Sequence, residues 1–89
     1  MKKKIYDCKV GEKIKFIKHK HFIINEYIDC SGMTGEVIEV SERHILVDLH
    51  GDKYKEILAD WDNTLVFAYE RKYENVVVEI INGYQAKKN

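Results

Sequence analysis

The sequence predicts a small all-β domain, and three stretches carry that expectation. Gly35–Leu49 alternates apolar and polar residues on both sides of a short polar turn, the signature of a half-buried β-hairpin. Lys13–Ile17 sets Ile14 and Phe16 against Lys13 and Lys15 with the same period of two. Val76, Val77 and Val78 form the most β-branched run in the chain, and β-branched residues suit a pleated, half-buried surface.

At 89 residues the chain has room for one domain, residues 1–89, with a thin core. It is 45% hydrophobic and 34% charged, which excludes a disordered chain. Residues 1–10 read as a basic lead-in with Ile5, Tyr6 and Val10 as anchors. Val10-Gly11-Glu12 reads as a turn into the first strand, Lys13–Ile17, where Ile17 breaks the parity and marks a bulge or the strand's end. Lys18 to Met33 is a long connection containing Phe22, Ile23, Ile24, Tyr27 and Ile28. A connection of that length is functional or carries structure of its own, and its apolar residues suit folding back over an open barrel end, as a helical turn or an irregular strand.

The hairpin comes next. Ile38 and Val40 are expected on the buried face of its first arm, and Ile45, Val47 and Leu49 on that of the second. Glu39, His44 and Asp48 fall on the outer face, and the turn lacks Asn-Gly, so a three- to five-residue loop is expected. Gly51-Asp52 reads as a turn, Tyr54–Ala59 as a helical turn or ragged strand, and Asp60–Asn63 as a turn around Trp61. Thr64–Tyr69 and Tyr73–Ile81 read as the last two strands, and residues 86–89 as a frayed tail. Five antiparallel strands in a small domain are expected to close into a barrel, because closure removes exposed edges.

Charge is unevenly spread. Residues 1–24 hold eight lysines against Asp7 and Glu12, a balance of +6, and the remainder balances it at −6. The start Met-Lys-Lys-Lys is not followed by the apolar core of a signal peptide, and no apolar run approaches the ~20 residues of a membrane span, so a cytoplasmic protein is expected. Cys8 and Cys30 are then expected as thiols.

Met33-Thr34-Gly35-Glu36-Val37-Ile38-Glu39-Val40, followed by Ile45-Leu46-Val47-Asp48-Leu49, resembles the hairpin of KOW-type and related SH3-like barrels. There a glycine precedes a Val-x-x-Val strand and the partner strand alternates apolar residues. The resemblance covers roughly residues 11–69 and implies a five-stranded antiparallel SH3-like barrel with a long loop between its first two strands. Such barrels bind nucleic acid, peptides or proteins, and the fold does not choose among these. The Lys/Ile/Asn-rich chain also looks like the accessory proteins of phages and mobile elements.

No motif of catalysis is found. His19-Lys20-His21 places two imidazoles on one strand face, as zinc ligands can be, with Cys8 and Cys30 as thiolate donors. No Cys-x-x-Cys or His-Glu-x-x-His spacing accompanies them, so no metal, no cofactor and no catalytic residue is assigned, and the histidines are read as solvated or packed in the loop. Asp60 and Asp62 read as turn-capping residues, and Gly32–Gly35 as a loop before a strand.

Two binding readings follow. In the first, a protein partner meets an acidic face formed by Glu39, Glu42, Asp48 and Asp52, with Trp61 as an aromatic anchor. Its sharpest form is an inhibitor, borne by a phage or mobile element, of a host nucleic-acid enzyme. In the second, a KOW-like barrel binds nucleic acid through Lys13, Lys15, Lys18, Lys20, Arg71 and Lys72, joined by Lys2–Lys4 into one basic face. Lys18-His19-Lys20-His21-Phe22 and Tyr69-Glu70-Arg71-Lys72-Tyr73 supply the basic residues with aromatic neighbours that this reading needs, while a pI of about 6.9 opposes it. An exposed sheet edge would also allow a homodimer.

Overall fold

The computed structural model describes residues 1–23, 25–50 and 64–81. Among them the architecture is all-β and antiparallel, with eight strands: β1 (Lys2–Lys4), β2 (Lys13–Phe16), β3 (Lys20–Ile23), β4 (Glu26–Asp29), β5 (Thr34–Val40), β6 (His44–Leu49), β7 (Thr64–Ala68) and β8 (Val77–Ile80). Six form one sheet in the order β1-β8-β2-β5-β6-β7, and β3 and β4 pair with each other alone. Five of the eight fall on the expected stretches. The other three, β1, β3 and β4, lie in segments whose sequence carries no clean alternation.

The central hairpin follows the pattern of its residues. Val37 stands opposite Val47, which stands opposite Leu65, and all three side chains are fully buried. Ile45 opposite Phe67 repeats this one row on. On the facing side, Ile14 and Phe16 of β2 and Val78 of β8 are fully buried, and Ile5 and Ile28 complete the core. The turn uses Ser41, whose hydroxyl accepts from the N–H groups of Arg43 and His44 at 3.2 and 3.3 Å. Gly35 is where β5 crosses closest to its partner: a Cβ there would stand 2.8 Å from the Asp48 carbonyl oxygen and 2.9 Å from Val47 Cγ1.

The structure corrects the expectation that Ile38 and Val40 are buried. They are 44% and 40% exposed. The register passes from Val37↔Val47 to Glu39↔Leu46, so Ile38 is the extra residue of a β-bulge and loses its place on the core face. Val40 regains that face opposite Ile45, but at the strand's end, next to the turn.

Three further corrections concern the ends of the chain. Val10 is 61% exposed and anchors nothing, whereas Ile5 is fully buried and its N–H donates to Val76 O at 2.8 Å. The last strand is shorter than Tyr73–Ile81: Arg71–Tyr73 is a 3-10 turn, and β8 begins at Val77. The sheet does not close into a barrel, because β1 and β7 end it on opposite sides among the described residues. A side chain spans part of that gap. The 3-10 turn Ile5–Asp7 carries Tyr6 to the end of β7, where its hydroxyl lies 2.7 Å from Ala68 O and 2.9 Å from Glu70 O, and accepts from the Glu70 N–H at 3.0 Å. Gly51-Asp52, Tyr54–Ala59, Trp61 and the tail lie outside the described residues.

Candidate binding groove

The β3–β4 hairpin occupies most of the long connection, and its two faces differ in chemistry. In its register, His21 faces Ile28 and Phe22 faces Tyr27. Opposed residues share a face, so His21 and Ile28 turn together to the core and Phe22 and Tyr27 together to solvent. The hairpin is tied down at its base, where Cys30 N–H donates to His19 O at 2.8 Å and His19 N–H to Ser31 Oγ at 3.0 Å.

His19 and His21 are buried, at 8% and 3% exposure, so of the two expected states, solvated or packed in the loop, the structure shows the packed one. They sit among aromatic rings. His21 stacks on Tyr73 at 5.2 Å and 17°, His19 lies 5.7 Å from Phe16, and Phe67 lies 4.7 Å from His21. His19 Nε2 and His21 Nδ1 are 3.0 Å apart. A backbone hydrogen bond to Val66 occupies His21 as well. Donation from His19 Nε2–H to His21 Nδ1, with His21 protonated at its other nitrogen, accounts for this contact with both rings neutral. Burial lowers the pKa of each from 6.5 to about 4, and for His21 the neighbouring His19 adds to the effect.

The solvent side of this pair opens into a groove of about 370 Å³ lined by His19, Lys20, Phe22, Tyr27, Lys72 and Tyr73. Phe22 and Tyr27 meet edge to face at 5.0 Å and are 45% and 69% exposed. Lys72 comes from the 3-10 turn at the far end of the chain, with its Nζ 5.1 Å from the centre of the Tyr73 ring. Its Nζ is 3.8 Å from the Glu70 carboxylate with both groups more than half exposed, a pairing too solvated to hold it. Lys20 and Lys72 are thus two ammonium groups in a lining without a carboxylate.

The two basic-aromatic segments singled out in the sequence, around Lys20 and around Lys72, therefore meet in one groove, although about fifty residues separate them. The remaining lysines do not extend it into one basic face. Lys13 stands opposite Glu36, and Lys15 opposite Glu79. Lys3 bonds the Glu12 carboxylate at 3.1 Å; burial works against that carboxylate, but the Lys9 N–H and the Lys3 ammonium outweigh it and hold its pKa below the usual range. Lys18 and Arg71 are exposed, Lys18 between β2 and β3 and Arg71 in the turn before Lys72.

The acidic residues distribute differently. Glu39 takes the His44 ring nitrogen at 2.6 Å, Glu42 is exposed in the turn, and Asp48 faces Glu36 across the β5–β6 ladder. Asp52 and Trp61 lie outside the described residues. The sequence reading left out Tyr27, counting it among apolar residues meant to cover a barrel end. Tyr27 stands out only through its partner, since Phe22 lies opposite it across the hairpin.

Burial first, then the nearby Glu12 carboxylate, pushes the Cys8 thiol up to about 11, so it is protonated at neutral pH. Cys30 is likewise buried. Among the described residues no three His, Cys, Asp or Glu side chains converge to hold a metal ion. Among the same residues no helix is long and apolar enough to cross a membrane. Comparison with protein-family models, curated proteins and solved structures finds no match for the chain.

Proposed function

We propose that this protein is a non-enzymatic, cytoplasmic binding module that holds an extended anionic segment of another macromolecule in the groove between the β3–β4 hairpin and the Arg71–Tyr73 turn. The observation that carries the reading is the convergence of Lys20, Phe22, Tyr27 and Lys72 from separate parts of the chain onto one open surface. Exposed rings are an anomaly in a small domain with few apolar residues to spare, and an aromatic-lined groove with convergent charges is a usual form for a binding site. The strand order β8-β2-β5-β6-β7, with a hairpin inserted between β2 and β5, supports an SH3-like arrangement as the scaffold.

A second reading, a protein partner on the acidic outer face of β5–β6, draws on Glu36 standing directly opposite Asp48. Lys13 on β2 stands opposite Glu36 and offsets that charge, which leaves Asp48 as the group a basic partner would meet. A mobile-element inhibitor of a host nucleic-acid enzyme is the form of that reading with the clearest charge logic.

Affinity capture with three forms of the protein separates the two. The native chain, a Tyr27→Ala/Lys72→Gln variant and a Glu36→Lys/Asp48→Lys variant are each used as bait, with circular dichroism confirming that all three fold. Loss of the captured partner in the groove variant alone supports the groove. Loss in the charge-reversed variant alone overturns it in favour of the second reading.

A further inference from the structure

The groove's chemistry narrows its ligand, on the reading that the groove is the binding site. We infer that it takes single-stranded nucleic acid, with bases against Phe22 and Tyr27 and backbone phosphates at Lys20 and Lys72. Four observations lead there. Both charged residues of the lining are lysines, and their carboxylate neighbours, Asp29 opposite Lys20 and Glu70 at 3.8 Å from Lys72, stand outside the lining, so the groove itself offers an anion two ammonium groups. The cations are lysines, compact point charges that bind phosphate oxygens, and it is the rings beside them that separate a nucleotide from a carboxylate-bearing peptide. Tyr27 and Phe22, at 69% and 45% exposure, leave ring surface open for stacking, and every base has a flat face to offer. Base faces are free only in an unpaired strand, since in a duplex each is covered by its neighbours. Lys18 and Arg71, exposed in the chain next to Lys20 and Lys72, would continue the phosphate track beyond the groove.

The rest of the molecule argues for a local site. Lys13 and Lys15 face Glu36 and Glu79 as Lys20 faces Asp29, and what sets Lys20 apart is its place beside Phe22, Tyr27 and Lys72 in the groove. Overall neutrality is then compatible with a short strand of a few nucleotides held in one groove.

The test is fluorescence anisotropy with labelled oligothymidine and oligouridine of about a dozen nucleotides. A duplex of the same length and a labelled poly-glutamate peptide serve as competing classes, and each is titrated at several salt concentrations. The expected result is binding of the single strands above the duplex and the peptide. Tyr27→Ala and Phe22→Ala should each weaken it by about ten-fold or more without lowering the melting temperature. Lys20→Gln/Lys72→Gln should flatten the slope of log affinity against log salt by about 1.4, at ~0.7 for each phosphate contact in a single strand. Lys13→Gln/Lys15→Gln should leave that slope unchanged. No single-strand binding below about 100 μM at low salt overturns the inference, because even non-specific binding falls within that range. If poly-glutamate binds instead and the groove variants lose it, the nucleic-acid inference falls while the groove stands. If single strands bind but only the Lys13/Lys15 variant loses them, both fall.

Discussion

Strands β2 and β3 are neighbours in sequence and both turn alternate side chains to opposite faces, yet the faces they bury differ in chemistry. β2 reads Lys-Ile-Lys-Phe and turns both apolar side chains into the core, where Ile14 and Phe16 are fully buried. β3 reads Lys-His-Phe-Ile and turns His21 inward at 3% exposure while Phe22 stands 45% exposed. The opposite choice would bury the Lys20 ammonium together with Phe22, so the observed face keeps Lys20 in water and leaves Phe22 exposed beside it. Desolvating an imidazole is tolerable only because His19 and Val66 satisfy His21. Departures from local rules concentrate where a fold does something other than hold itself together. The difference teaches that β2 is a structural strand and β3 a strand that presents a surface.

The strongest way to break this contrast is to truncate the corresponding rings. Phe16→Ala should cost about 3–5 kcal/mol, a large share of the ~5–10 kcal/mol expected for a small domain. Phe22→Ala should stay within about 0.5 kcal/mol. Urea denaturation of both variants checks this, and equal losses would erase the distinction.

Acid sharpens the contrast from the other side. The folded-state pKa of His19 and of His21 is about 4 against an ordinary 6.5, so as pH falls the unfolded chain takes up protons before the folded one does. The stability contributed by the neutral pair is complete above about 6.5 and is lost as pH falls toward about 4. The melting temperature should therefore drop between pH 6.5 and roughly 5, above the range where ordinary carboxylates titrate. His21→Phe, which makes β3 resemble β2, should reduce that drop to about half, since one of the two titrating rings is gone. An unchanged pH profile in the variant would show that the pair does not titrate as buried imidazoles.

A smaller effect probes the scaffold on which β2 rests. Gly35 lies opposite Ile14, and an added methyl group would meet the Asp48 carbonyl oxygen at 2.8 Å, a backbone atom that cannot swing aside. Gly35→Ala should cost about 1–3 kcal/mol by overpacking, read as a shifted denaturation midpoint with an unchanged slope. The smallest concerns the link across the open sheet. Tyr6→Phe removes a hydroxyl that bridges the ends of β1 and β7, and should cost about 1 kcal/mol in thermal melting while leaving groove binding intact.

How much of this could be read from residues differs by element. The β5–β6 arms were legible because Ile45, Val47 and Leu49 alternate with polar residues and one face is buried. The bulge was not, because Ile38 and Val40 continue a pattern that reads equally well without an extra residue. β8 was legible as a strand but β1 was not, since residues 1–10 read as a basic lead-in and three lysines say nothing of what they pair with. In the groove, the basic and aromatic character of each contributing segment was visible, including the pairing of Lys20 with Phe22 and of Lys72 with Tyr73. Their meeting was not, because it depends on where the β3–β4 hairpin lies against the Arg71–Tyr73 turn.

The sequence by itself determined the all-β class, the five principal strands and the part of the core that they carry on alternating positions, such as Ile14, Phe16, Ile45 and Val47, because side-chain alternation is a local property tied to the period of the strand. Only the tertiary structure decided which face of β3 is buried, that the sheet stays open with Tyr6 bridging its ends, and that Lys20 and Lys72 share a groove. Those outcomes rest on contacts between residues about fifty to sixty positions apart, and nothing in the local pattern of either partner encodes the other.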